Sequence, residues 1–275
     1  MKVMLLMAAQ EIRNGFRNWL VLATTLVLAA LALSIIFLGS APVGTVDADP
    51  IALTVVSLAS LTIFLVPLLA LMLSFDTVVG EAERGTLLLL LSYPLSRWQI
   101  VAGKFLGQTA ILSLATLIGY GAAGVTLYAL HGSAAGAWLA FARLICSSIL
   151  LGAAFIALGG LVSVAVRERA TAAGMAVGIW LVFVLLYDGA LLAVLVADQG
   201  RLLSPAMLDL LLLLNPTDAY RLYNLAGDSR VATLAGLTGI GQTGAISPVL
   251  LVTALLGWIA VPLGLTVFVF QRRQP

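Results

Sequence analysis

With 275 residues, 62% of them apolar and 9% charged, this chain carries more apolar surface than a water-soluble fold of its length can hide, so the bilayer is the expected solvent. A net charge of +2 gives no basic field for nucleic acid. One cysteine, Cys146, excludes an internal disulfide, and with His131 as the single histidine a Cys- or His-rich metal site is not expected.

Residues 1–18 place Val3, Met4, Met7, Ala8, Ile12 and Phe16 at helical spacing, with Lys2, Gln10, Glu11, Arg13 and Arg17 elsewhere. That pattern predicts an amphipathic helix lying on a membrane surface. Met4 and Met7 fall on one face, which suits a lipid-facing stripe better than a copper(I) pair. Six apolar runs follow, near Trp19–Gly39, Leu53–Ser74, Phe105–Leu130, Leu139–Val166, Ala172–Val196 and Val249–Phe270. Each is near the roughly 20 residues that a helix needs to cross a bilayer. Helix is required, because an open sheet leaves backbone groups unpaired in lipid. The first run is too long, and starts too late, for a cleaved signal peptide. The expected class is an all-α integral membrane protein, one permease domain over 1–275, with six spans, an interfacial N-terminal helix and short helices on the cytoplasmic side.

Orientation follows from the basic residues. Lys2, Arg13, Arg17, Arg84, Arg97, Lys104, Arg167, Arg169, Arg272 and Arg273 fall on one side; Arg143, Arg201, Arg221 and Arg230 fall on the other. The richer side is expected to be cytoplasmic, with both termini inside.

A polar island at 75–104 interrupts the lipid-compatible sequence. It holds Asp76, Gly80, Glu81, Glu83, Arg84, Gly85 and Thr86, then a leucine run, then Tyr93-Pro94-Leu95-Ser96-Arg97. Gly85 relaxes the backbone and Thr86 is placed to cap a short helix, while Ser96 is placed to cap a second, Arg97–Lys104. Short charged helices on a membrane suit the groove of a soluble partner; a solvated loop with basic anchors fits equally well. In the fifth run, Asp188 is a candidate functional charge. The competing reading, preferred here, ends the helix near Gly189 and leaves the carboxylate at the interface.

The connection 197–248 is too short for a catalytic domain. Ser204-Pro205 predicts a helix start, and Met207–Leu214 is too short to span, which suggests a re-entrant or interfacial helix. Asn215-Pro216 signals a turn, with Thr217 or Asp218 capping a short helix that carries Tyr220, Arg221 and Tyr223. These residues fit the headgroup belt and also fit a docking surface. Gly236–Gly244 reads as a flexible link. No Walker A loop, nucleophile–base set or line of membrane carboxylates is present.

Glu81-Ala-Glu83-Arg84-Gly85-Thr86-Leu87, then Tyr93-Pro94-Leu95-Ser96-Arg97 and Gly103-Lys104, resembles the coupling region of ABC-2 type permeases. The Leu214-Asn215-Pro216-x-Asp218-x-Tyr220-Arg221 stretch resembles the external turn of one branch of that family, which serves copper-site maturation of nitrous oxide reductase. The resemblance implies an inner-membrane subunit without its own ATPase site, working as a homodimer with two copies of a cytoplasmic ABC ATPase. Glu81, Glu83, Arg84, Gly85 and Thr86 would contact that ATPase, with Arg167, Glu168 and Arg169 as a second contact. It further implies a periplasmic repeat protein, which would meet Asn215, Asp218, Tyr220, Arg221 and Tyr223. Neither a cofactor nor a bound metal is expected, and mechanical work or passage of a small cargo is favoured over tight metal binding. A non-transporting membrane anchor for a periplasmic partner is the alternative. An ion-coupled carrier using Asp188 is a third reading, and a membrane enzyme is the least supported.

Overall fold

The computed structural model describes residues 2–16, 19–39, 50–92, 96–131, 137–198, 204–225 and 246–272. Tyr93, Pro94, Leu95 and the 236–244 glycine link lie outside the described residues, as does the side chain of His131. All regular structure among the described residues is helical: α1 Lys2–Phe16, α2 Trp19–Gly39, α3 Pro50–Ser74, α4 Val79–Glu83, α5 Thr86–Ser92, α6 Arg97–His131 and α7 Ala137–Ala165. Then come α8 Arg169–Leu181, a single π turn Val182–Leu186, α9 Tyr187–Asp198, α10 Pro205–Leu213, α11 Pro216–Leu225 and α12 Pro248–Arg272.

Five helical stretches among the described residues are long and apolar enough to cross a membrane: Thr54–Glu83, Arg97–Ala129, Trp138–Ala165, Arg169–Asp198 and Pro248–Arg272. α2 is a further apolar helix of 21 residues, whose apolar stretch Thr25–Phe37 is shorter than the other five.

Two boundaries differ from the sequence reading. Arg97–Lys104, read as a short helix leading into the third run, is the start of that run's own helix, α6. No proline separates the two parts, and the start is fixed at Ser96, whose N–H donates to Gln99 Oε1 at 3.2 Å. This is half of a capping box, the Gln at the third helical position reaching back to the cap. The fifth run does not end at Gly189 but continues through α9 to Asp198. One glycine costs a helix only about 1 kcal/mol, too little to stop it here.

α7 is the central helix, packed against α3, α6, α11 and α12. Its buried face alternates large and small side chains: Leu151, Ala154, Phe155 and Leu158 with Gly152 and Gly159. Near one end, Ser163 meets the turn after α3; near the other, Ser147 and Ser148 meet α11. The α8–α9 helix stands apart. In its most apolar stretch 6% of residues are buried within the chain, against 67% in α7.

α1 packs along α6. A Cβ at Gly107 would stand 2.5 Å from the Glu11 Cβ and 3.1 Å from the Ala8 carbonyl oxygen, so only glycine allows the approach. The helix read as interfacial thus packs closely against α6.

Candidate functional site

The acidic turn is held from below by groups that the sequence reading did not pair. α4 starts at Val78 with no side-chain cap of its own. Its first amides are satisfied from α7 instead: Val78 and Val79 N–H donate to Ser163 Oγ at 2.9 and 3.1 Å. Buried amides left unpaired would cost free energy. α4 ends at Arg84, and the chain reverses through Gly85 at φ +71°, a left-handed conformation that glycine adopts without a Cβ penalty. Thr86 opens α5, and its hydroxyl donates back to the Glu81 carbonyl at 3.2 Å, tying the new helix to α4.

Of the residues expected to face a soluble partner, Glu81 turns inward. The Lys104 ammonium, 5% exposed, donates to Glu81 Oε1 and to Glu11 Oε1, each at 2.7 Å. One buried cation therefore joins α1, α4 and α6. The remaining residues line the surface. Glu83, Arg84, Gly85 and Thr86 are exposed, and Arg167, Glu168 and Arg169 are exposed beside them.

Two contacts bind these segments. Glu83 Oε1 accepts from the Arg169 backbone N–H at 2.6 Å. A carboxylate so placed satisfies a free amide at the start of α8 and faces the positive end of that helix. Asp76 Oδ2 pairs with the Arg169 guanidinium at 2.9 Å and lies 4.0 Å from that of Arg84. The surface is thus a mixed-charge patch made by two loops that are 80 residues apart in sequence.

At the other end of α7 the polar groups are buried. Ser204 caps α10, accepting from the Met207 N–H with Pro205 in the first turn, as the sequence predicts. α11 is capped by Asn215, not by Thr217 or Asp218: its Oδ1 accepts from the Thr217 N–H at 3.1 Å and from the Thr217 hydroxyl at 2.7 Å. Pro216 then occupies the first helical position, where a missing N–H costs nothing. Asn215 Nδ2 and Thr217 Oγ1 also donate to the Phe183 carbonyl in the π turn, at 3.0 and 3.1 Å. Arg221 bridges two carboxylates, donating to Asp188 at 2.6 Å and to Asp218 at 2.9 Å. Asp188 is therefore ion-paired within a continuous helix, and not left at a helix end.

Burial, and then the negative charge of Asp188, push the Asp218 carboxyl up to about 7, against the pull of Arg221. Tyr220 is wholly buried with its hydroxyl 3.2 Å from Ser148 Oγ, and Asn224 Nδ2 donates to Ser147 Oγ at 2.9 Å. Tyr120 and Thr62 form a further buried pair at 2.6 Å. Asn215, Asp218 and Tyr220, expected as docking residues, thus have inward side chains that build the turn. Arg221 and Tyr223 are half-buried, with the Arg143 guanidinium 5.5 Å from the Tyr223 ring centre.

Ser163, and the pairing of Lys104 with Glu11 and Glu81 and of Asp76 with Arg169, escaped the sequence reading. A lysine seven residues into an apolar helix was the one available signal, since a cation there needs a partner. Among the described residues no group of three His, Cys, Asp or Glu is arranged to hold a metal.

The family model described as "ABC-2 family transporter protein" matches residues 5–274. The chain belongs to the ABC-2 transporter family. A probable ABC transporter permease protein NosY of Pseudomonas aeruginosa is 46% identical over 275 residues, covering 99% of both chains. A probable ABC transporter permease protein NosY of Stutzerimonas stutzeri is 45% identical over 268 residues, covering 97% of each. ABC-2 permeases are membrane subunits without an ATPase site, so family membership implies a separate ATPase partner and a dimeric arrangement.

Proposed function

We propose that this ABC-2 permease couples ATP hydrolysis by a separate cytoplasmic ATPase to a mechanical change across the bacterial inner membrane. The observation that carries the reading is the joined patch of Glu83, Arg84, Gly85 and Thr86 with Arg167, Glu168 and Arg169. Short helices and a reversed-charge loop, tied together by Glu83 and Asp76, give a soluble motor a rigid surface to push. In this reading α2 completes six spans, both termini are cytoplasmic, and α1 lies at the inner leaflet. Two copies of the chain associate with two ATPase copies. A second copy is supported by family membership, and the α8–α9 helix, sparsely packed within the chain, leaves a face free for it. On the periplasmic side Arg221 and Tyr223 would meet a repeat protein, with Asn215, Asp218 and Tyr220 setting the shape of the turn. The service in this reading is copper–sulfur site assembly of nitrous oxide reductase, supported by the resemblance of the Leu214–Arg221 stretch and by two relatives named as NosY permeases.

The test is co-purification with the ATPase and stimulated hydrolysis. Glu83→Lys with Glu168→Lys is expected to lose both, because neither side chain is buried. Full association and undiminished stimulation in that double variant would falsify the assignment of this surface. Glu81→Lys should also uncouple, but by expelling Lys104 from within, and it should lower thermal stability as well.

A further inference from the structure

The helix from Arg169 to Asp198 reaches both polar clusters, and nothing assigned so far explains why. It is 30 residues long, or about 45 Å as helix, more than a bilayer core. Apolar packing within the chain holds it at few points: among the described residues Ala172, Ala176 and Val184 are its buried side chains, with Ile179, Trp180 and Phe183 partly buried against the core. Polar contacts hold it at both ends. At its first residue, Arg169 is bound through its backbone to Glu83 and through its guanidinium to Asp76. Partway along, Trp180 Nε1 donates to the Phe64 carbonyl at 2.9 Å. At the far part, three groups meet the α10–α11 turn. The Phe183 carbonyl receives Asn215 and Thr217, the Tyr187 hydroxyl donates to the Leu211 carbonyl at 2.6 Å, and Asp188 holds Arg221.

We infer that this helix is a transmission rod, clamped at one end to the acidic turn and at the other to the α10–α11 turn, with Asp188 as a positioning residue of the outer clamp. The inference rests on the coupling reading above. An α-helix resists axial change because every backbone hydrogen bond must stretch, so displacement of Arg169 is passed along it. The π turn is where the helix departs from regular pitch, and such turns are the usual sites of local adjustment. The α10–α11 turn grips the rod at that point. Sparse apolar packing permits the movement, and directional polar contacts fix what moves with it. Asp188 suits a test because Arg221 keeps Asp218 when Asp188 is removed, so no buried charge is stranded.

The experiment uses the full chain co-expressed with its ATPase in lipid nanodiscs. Spin labels at Leu139→Cys on α7 and Met207→Cys on α10, both exposed, report the outer turn in a Cys146→Ser background, since Cys146 is itself exposed. The parent is expected to show a shift in label distance on trapping with ATP and vanadate. Asp188→Ala loses the shift while the ATPase still co-purifies, and Asp188→Glu keeps it. Val177→Pro, at an exposed position between the clamps, also loses it by breaking the rod while leaving both clamps in place. A full shift in Asp188→Ala overturns the role of Asp188. A full shift in Val177→Pro overturns the rod. No shift in the parent overturns the coupling reading itself, and the rod with it.

Discussion

The acidic turn at 76–86 and the turn from Asn215 to Tyr223 meet opposite ends of α7, and they place similar residue types differently. In the first, most charged side chains reach solvent: Arg84 and Arg169 are 61% and 55% exposed in their ion pairs with Asp76. In the second, Asn215, Thr217 and Tyr220 are fully buried and Asp218 is 2% exposed. Exposed pairs are screened and contribute little to stability, whereas buried polar groups are costly unless every partner is present. One surface is therefore suited to being gripped and released, and the other to keeping a fixed shape while it is moved. The exception is Lys104, a buried cation lying directly beneath the exposed turn.

That contrast can be broken at its exception first. Lys104→Met leaves Glu11 and Glu81 facing each other without a cation, and should cost about 3 kcal/mol or more, read as a large fall in thermal stability of the purified chain. Adding Glu11→Gln and Glu81→Gln should recover much of it. A single variant as stable as the parent would show that α1 and α4 are held by other means.

Next in size is Asn215→Ala, which strands the Thr217 N–H and leaves the Phe183 carbonyl with the Thr217 hydroxyl alone. A loss of about 2 kcal/mol is expected, with increased amide exchange across α11. Equal exchange would place the turn's rigidity elsewhere.

An effect of similar size concerns pH. Asp218 keeps its proton up to about 7 in the fold, while an unfolded aspartate loses it near the usual value of about 4. Acidification through that window therefore favours the native turn, the reverse of an ordinary carboxylate ion pair. Thermal stability should rise from pH 7.5 to pH 5, and Asp218→Asn should flatten the rise.

The smallest change is expected at the exposed turn. Arg84→Ala removes a 4.0 Å pair with Asp76 and should shift stability by less than about 1 kcal/mol, while still weakening ATPase association. Comparable destabilisation by Arg84→Ala and Asn215→Ala would erase the distinction between the two turns.

The sequence alone determined the helical class, because apolar runs of bilayer length admit no other structure, and it located the short elements whose signals are local. Ser204-Pro205 marked the start of α10, Gly85 marked the reversal after α4, and the spacing of Met4, Met7, Ile12 and Phe16 marked α1. Local signals misled where tertiary contacts supplied the partner. Asn215, and neither Thr217 nor Asp218, caps α11, and Gly189 does not end a helix whose far part is held by Arg221. Glu81 looks like a surface acid until Lys104, 23 residues on, is placed under it. Only the tertiary structure decided which charges face outward, because a side chain's exposure depends on which helix packs over it, and no spacing within one helix encodes that.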